Sequence, residues 1–165
     1  MKQLLRVVVT ISLLRNGLAY ADEVLPTGLG EAVDRDVERV RAATERFKDV
    51  DTALAAGYVA TDYCVQHPAH GVMGLHFKNM ALRDATPDLE RPEILLYQRL
   101  PDGTLRLNGV EYVVPLSAWM HDEPPLLLGQ KMRREENQAI WYLHAWIWEW
   151  NPSGIFADWN PRAKC

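Results

Sequence analysis

The segment Ala139–Trp150, AIWYLHAWIWEW, constrains this chain more than any other. It is too aromatic and β-branched to favour a helix, and Asn151-Pro152 bounds it. As a strand it places Ile140, Tyr142, His144, Trp146 and Trp148 on one face, and Trp141, Leu143, Ala145 and Ile147 on the other. Both faces are apolar, so the segment reads as a central strand covered on both sides. Helices supply one cover, and a second layer or a barrel interior supplies the other.

The helices come from the N-terminal half. Val33, Val37, Val40, Ala43 and Phe47 recur at spacings of four and three between Gly30 and Val50, the pattern of an amphipathic helix. In DVDTALAAGYV a shorter helix is expected, capped by Asp49 or Asp51 and stopped by Gly57, and the two together read as a helical hairpin. EILLYQRL, the turn Pro101-Asp102-Gly103 and TLRLNGVEYVVPL form a β-hairpin. Cys64 to Gly74 reads as a loop, and LHFKN as a short strand after it. The fold class is therefore α+β: an N-terminal helical hairpin packed on a curved, mostly antiparallel sheet of about four to six strands, or a small barrel.

The chain begins with a secretory pattern: basic Lys2 and Arg6, the apolar run Val7 to Leu14, and the small-residue site Ala19-Tyr20-Ala21. That run, ended by Arg15, is far short of the roughly 20 residues that span a bilayer. Residues 1–21 are thus expected to be a signal peptide and 22–165 a single α+β domain, periplasmic or secreted, with no membrane span. Loss of the peptide leaves 15 Lys and Arg against 22 Asp and Glu, a formal charge of −7, and no basic cluster that would suit nucleic acid. In an oxidising compartment the two cysteines, Cys64 and Cys165, are expected to form a disulfide. The competing reading, two thiolate metal ligands, lacks histidine or cysteine partners near Cys165.

Three polar residues sit on apolar strand faces. His144 is flanked by Tyr142 and Trp146 on its face, and Glu111 shares an alternating face with Leu105, Leu107 and Val113. His76 lies between Leu75 and Phe77. Each needs a partner when buried. Convergence of the three gives a His/Glu/His set suited to a transition metal such as copper, zinc or iron, with a position left open. The alternatives are a core histidine bonded to a carbonyl and scattered polar contacts.

HPAHGVMGLHFKN spaces His67, His70, Met73 and His76 by three. With Met80 these are soft and borderline donors, a mixture that favours copper over calcium or magnesium. His67 and His70, beside Pro68 and Gly71, read as turn residues, with His70 and Met73 at the rim of a site. Tyr142, Trp146 and Trp148 are candidates for a pocket, although tryptophans serve a core equally well. Ser117 and Ser153 lack a nucleophile-elbow pattern, and Glu93 or Glu111 as a metal-free general base requires a cleft.

At MGLHFKN, PEILLY, GVEYVVP and LHAWIWEWNPSGIFADWNPRAKC the chain resembles an uncharacterised group of small exported bacterial proteins. The resemblance covers most of residues 22–165 and implies a bacterial, exported, single-domain protein. His76, Glu111 and His144 lie inside its motif blocks, whereas His67, His70 and His121 lie outside them. It implies no activity. Three functions remain in play: an exported protein with one buried transition-metal site, a metal-free binding module for a small molecule with a tryptophan-lined pocket, and an envelope structural protein.

Overall fold

The computed structural model describes residues 26–165, so the expected signal peptide lies outside the described residues. The architecture is α+β. Helix α1, Glu31–Thr44, buries Val33, Val37, Val40 and Thr44, one stripe of an amphipathic helix. Glu31 and Asp34 occupy its first turn and Arg41 its last, the polarity that complements a helix dipole. A 3-10 turn, Glu45–Lys48, follows directly and buries Phe47. The Asp49 side chain then accepts from the Asp51 N–H to cap α2, Val50–Ala55. At six residues α2 is a short continuation, so the helical layer is one long helix with an appendix where a two-armed hairpin was expected.

Among the described residues six strands form one antiparallel sheet: β1 Val59–His67, β2 Gly71–Lys78, β3 Ile94–Arg99, β4 Leu105–Pro115, β7 Arg133–Glu135 and β8 Ile140–Ala145. Their order is β1-β2-β3-β4-β8-β7, and a separate two-stranded ribbon pairs β5, Leu126–Leu127, with β6, Gln130–Lys131. Among the described residues no ladder joins β7 to β1, so the sheet is open and not a barrel. Cys64 to His67 and Gly71 to Gly74, expected to be loop, are strand. Pro68, Ala69 and His70 alone make the turn between β1 and β2. The Cys64–Cys165 disulfide ties β1 to the C-terminal tail.

The main core lies between the sheet and the helices, where Phe77, Leu95, Tyr97, Val110, Tyr112 and Leu143 meet Val37, Val40 and Phe47. Each such side chain contributes roughly 1.5–3 kcal/mol by leaving water. The Tyr97 hydroxyl donates to the Phe47 carbonyl at 2.5 Å, which fixes the helical layer to the middle of the sheet. A smaller cluster, Ile94, Leu96, Val113 and Ile140 with Tyr142 packed on it, covers part of the opposite face.

Two details decide which side chains reach that second face. The β3–β4 register runs Ile94↔Glu111, Leu95↔Val110 and Leu96↔Gly109, then Tyr97↔Leu107, so Asn108 is an extra residue. Leu107 consequently packs in the main core with Val110 and Tyr112, while Glu111 and Val113 point away from it. The uninterrupted alternation from Leu105 to Val113 is thereby broken. The bulge is accompanied by close backbone approach: a Cβ on Gly109 would stand 2.4 Å from the Ala145 carbonyl oxygen. There β8 ends, shorter than expected but interior to the sheet between β4 and β7, and the chain turns. The Trp146 N–H then donates to Ile155 O, and the Trp148 N–H to Asn108 O.

Candidate metal centre

Register brings three polar residues of the second face together. His76 on β2 stands opposite Leu96 of β3, Ile94 of β3 opposite Glu111 of β4, and Glu111 opposite His144 of β8. One ligand atom from each of His76, Glu111 and His144 lies within 4.8 Å of the other two, and all three residues are buried. Glu111 Oε2 is 3.4 Å from His76 Nε2 and 3.5 Å from His144 Nε2.

The other ring nitrogens are anchored. His76 Nδ1 lies 3.2 Å from the Gly74 carbonyl oxygen, which can only accept, so this nitrogen carries a proton. His144 Nδ1 lies 3.2 Å from Asp158 Oδ1 and donates likewise, because Asp158 is ionised. Asp158 is held in turn by Arg133 at 2.6 Å and by the Tyr142 hydroxyl at 3.2 Å. Both imidazoles therefore present Nε2 to the Glu111 carboxylate. His144 Nε2 is buried without a hydrogen-bond partner, being within ion-pair range of Glu111 but outside a formed bond.

The electrostatics follow from this packing. Burial raises the Glu111 carboxyl, but the two imidazoles outweigh it and hold the group below the ordinary carboxylate range. Burial lowers His144, yet Glu111 and Asp158 together raise it to about 9. His76 is lowered, chiefly by burial, with Glu111 recovering only part of the loss. Without a metal, then, His144 is a cation between two carboxylates and His76 is neutral at pH 7. A divalent ion held by the Nε2 atoms would take the place of that proton and give the orphaned nitrogen a partner.

The cluster opens on a cavity of about 230 Å³. Its walls include Met73, Lys78, Arg83, Glu93, Ile94 and Val113, with Tyr142 beside His144. Met73 reaches it because β1 and β2 change register between Val65↔Gly74 and Gln66↔Val72, leaving Met73 as the extra residue. Glu93 is 3% exposed, and its Oε2 accepts from the Val113 N–H at 2.9 Å. Burial raises the Glu93 carboxyl to about 7 despite that bond.

Other expected site residues lie elsewhere. His70 is not part of the cavity wall; its ring stacks on His67 at 4.3 Å in the exposed turn, and His67 faces Trp159. Of Tyr142, Trp146 and Trp148 only Tyr142 lines the cavity. Trp146 is buried with Val72 and Ala163. Trp148 packs toward α1, its Nε1 donating to Thr44 Oγ1 at 3.1 Å and its ring lying under Arg41 and Lys48. Both departures have one cause: β8 ends at Ala145, so strand alternation no longer assigns faces beyond it. Asp158, Lys78 and Arg83 went unrecognised in the sequence. Asp158 carried a signal as the one acid in a tail tethered by Cys165, and Lys78 carried one as the residue two after His76 on the same strand, whereas Arg83 carried none.

No protein-family model, curated protein or solved structure matches this chain. Among the described residues no helix is long and apolar enough to cross a membrane.

Proposed function

We propose that this chain is an exported bacterial protein that holds one divalent transition metal, copper, zinc or iron, on His76, Glu111 and His144. The observation that carries the reading is the orientation of the rings. Gly74 O and Asp158 each take an Nδ1 proton, which leaves both Nε2 atoms directed at one buried carboxylate. Metal-bound histidines generally donate their other ring N–H to a carbonyl or carboxylate in this way. Two imidazoles and one carboxylate suit zinc or iron and also copper, and three protein ligands leave a coordination position for a small molecule. His76, Glu111 and His144 all line the cavity, which favours metal-dependent binding or chemistry over a purely structural role. Met73 in the cavity wall adds a soft donor near the site, in favour of copper.

The test is metal content. The chain, exported without a histidine tag, is assayed by mass spectrometry beside His76→Ala and His144→Ala. About one metal per chain is expected, lost in both variants. Absence of metal after incubation with copper, zinc and iron would overturn the reading and favour a metal-free binding module using the same cavity.

A further inference from the structure

The cavity beside the metal cluster holds an imbalance of partners. Its three carboxylates are all supplied with donors or cations: Glu111 by the His144 imidazolium, Glu93 by the Val113 N–H, and Glu135 by the Asn137 N–H at 2.9 Å. Among the described residues its two permanent cations have no side-chain oxygen acceptor. Lys78 makes no ion pair or side-chain hydrogen bond among the described residues, and the one side-chain bond of Arg83 runs to the Met80 sulfur at 3.9 Å. Elsewhere Arg39, Arg91, Lys131 and Arg133 each pair with a carboxylate. Cations outside the cavity also lack a carboxylate, Arg99 bonding the Gly103 carbonyl and Arg46 and Arg162 lying over aromatic rings, but Arg83 Nε in the cavity wall is buried without a hydrogen-bond partner.

Lys78 belongs to the site electrostatically as well, since its charge acts on both His76 and Glu111. A divalent metal on the cluster would overcompensate Glu111, so the cavity as a whole would attract an anion. The rest of the wall is mixed, with the apolar Val65, Ile94, Val113 and Ile140 beside Thr61, Tyr63, Gln138 and Tyr142. A volume of about 230 Å³ suits a ligand below the size of an ordinary cofactor.

We propose that this cavity binds a small organic carboxylate, its anionic group held by Lys78 and Arg83 and its apolar body against Ile94, Val113 and Ile140. The inference rests on the metal reading for the net positive field and for the chemistry done on that ligand, whereas Lys78 and Arg83 as the groups that hold the anion do not depend on it. Charged donors to a carboxylate give the stronger class of hydrogen bond, and Arg adds a forked geometry that a neutral amide ligand cannot exploit equally.

The experiment titrates the full exported chain, with and without zinc, by calorimetry using benzoate, its uncharged counterpart benzamide, and inorganic phosphate. The zinc-loaded protein should bind benzoate about tenfold more tightly than benzamide, and phosphate more weakly than benzoate. Lys78→Gln with Arg83→Gln, at matched zinc content, should reduce the preference to about threefold or less. The charge-conserving Lys78→Arg should retain it and serves as the control if the double variant does not fold. Equal binding of benzoate and benzamide, or an unchanged preference in the double variant, would overturn the proposal. Tighter binding of phosphate would overturn its carboxylate specificity. A chain that never takes up metal yet prefers benzoate through Lys78 and Arg83 would remove the metal reading and leave the anion site standing.

Discussion

His144 Nδ1 stands 3.2 Å from Asp158 Oδ1, and this contact determines that Nε2 is the nitrogen facing Glu111. Asp158 is thus a positioning residue that acts through His144 and is not itself one of the clustered His76, Glu111 and His144. Asp158→Ala should weaken metal affinity by about 10- to 100-fold, the usual cost of losing an outer-shell carboxylate. Asp158→Asn, whose amide oxygen can still accept from Nδ1, should lose less. Competition titration against a chromogenic chelator checks both.

Metal uptake should release a proton. His144 is held at about 9 in the metal-free protein, and its Nδ1 proton stays with Asp158, so a metal displaces the proton from Nε2. Calorimetric titration at pH 7 in buffers of different ionisation enthalpy should report release of about one proton, and affinity should fall about tenfold per pH unit below pH 9. A pH-independent affinity would show that His144 is not a ligand.

Glu93 should make the fold less stable as pH rises from about 4.5 to 7. Its carboxyl is raised from 4.5 to about 7 by burial, so over that window the folded state binds a proton that the unfolded state has lost. The stability it provides is complete below pH 4.5, falls through the window and levels off above about pH 7. The loss amounts to about 3 kcal/mol at most. Subtracting the Glu93→Gln stability curve, measured by urea unfolding of metal-free protein, isolates the effect.

Reduction of Cys64–Cys165 should cost stability because the bond closes a loop with a sequence separation of 101. The chain-entropy model gives about 4 to 5 kcal/mol for a loop of that length. Guanidinium unfolding with and without reductant measures the difference. The bridge also restrains the tail that carries Asp158 and pairs Asn160 with Val72, so the reduced protein should bind metal more weakly.

Gly109→Ala tests the bulge that turns Glu111 toward the site. The new methyl would meet the Ala145 carbonyl oxygen, a backbone atom that cannot rotate away. A loss of about 1–3 kcal/mol is expected in thermal or urea unfolding, with weaker metal binding as β4 and β8 separate.

The sequence by itself determined the elements whose periodicity was uninterrupted. Val33, Val37 and Val40 marked α1, the Pro101-Asp102-Gly103 turn marked the β3–β4 hairpin, and alternation from Ile140 to Ala145 assigned His144 to the correct face. It also singled out His76, Glu111 and His144, because an ionisable group on an apolar strand needs a partner wherever the strand is placed. Tertiary structure decided everything that depends on pairing between distant segments. The extra residue at Asn108 reversed the face shared by Leu107 and Glu111, and the end of β8 at Ala145 sent Trp146 and Trp148 away from the cavity. Asp158 joins the site only through the return of the C-terminal tail and Arg83 through the loop after β2, whereas Lys78 shares the strand face of His76 two residues before it. Local periodicity reports the face on which a side chain lies, but the identity of its neighbours across the sheet is fixed by long-range backbone hydrogen bonds, and these are not encoded by sequence spacing.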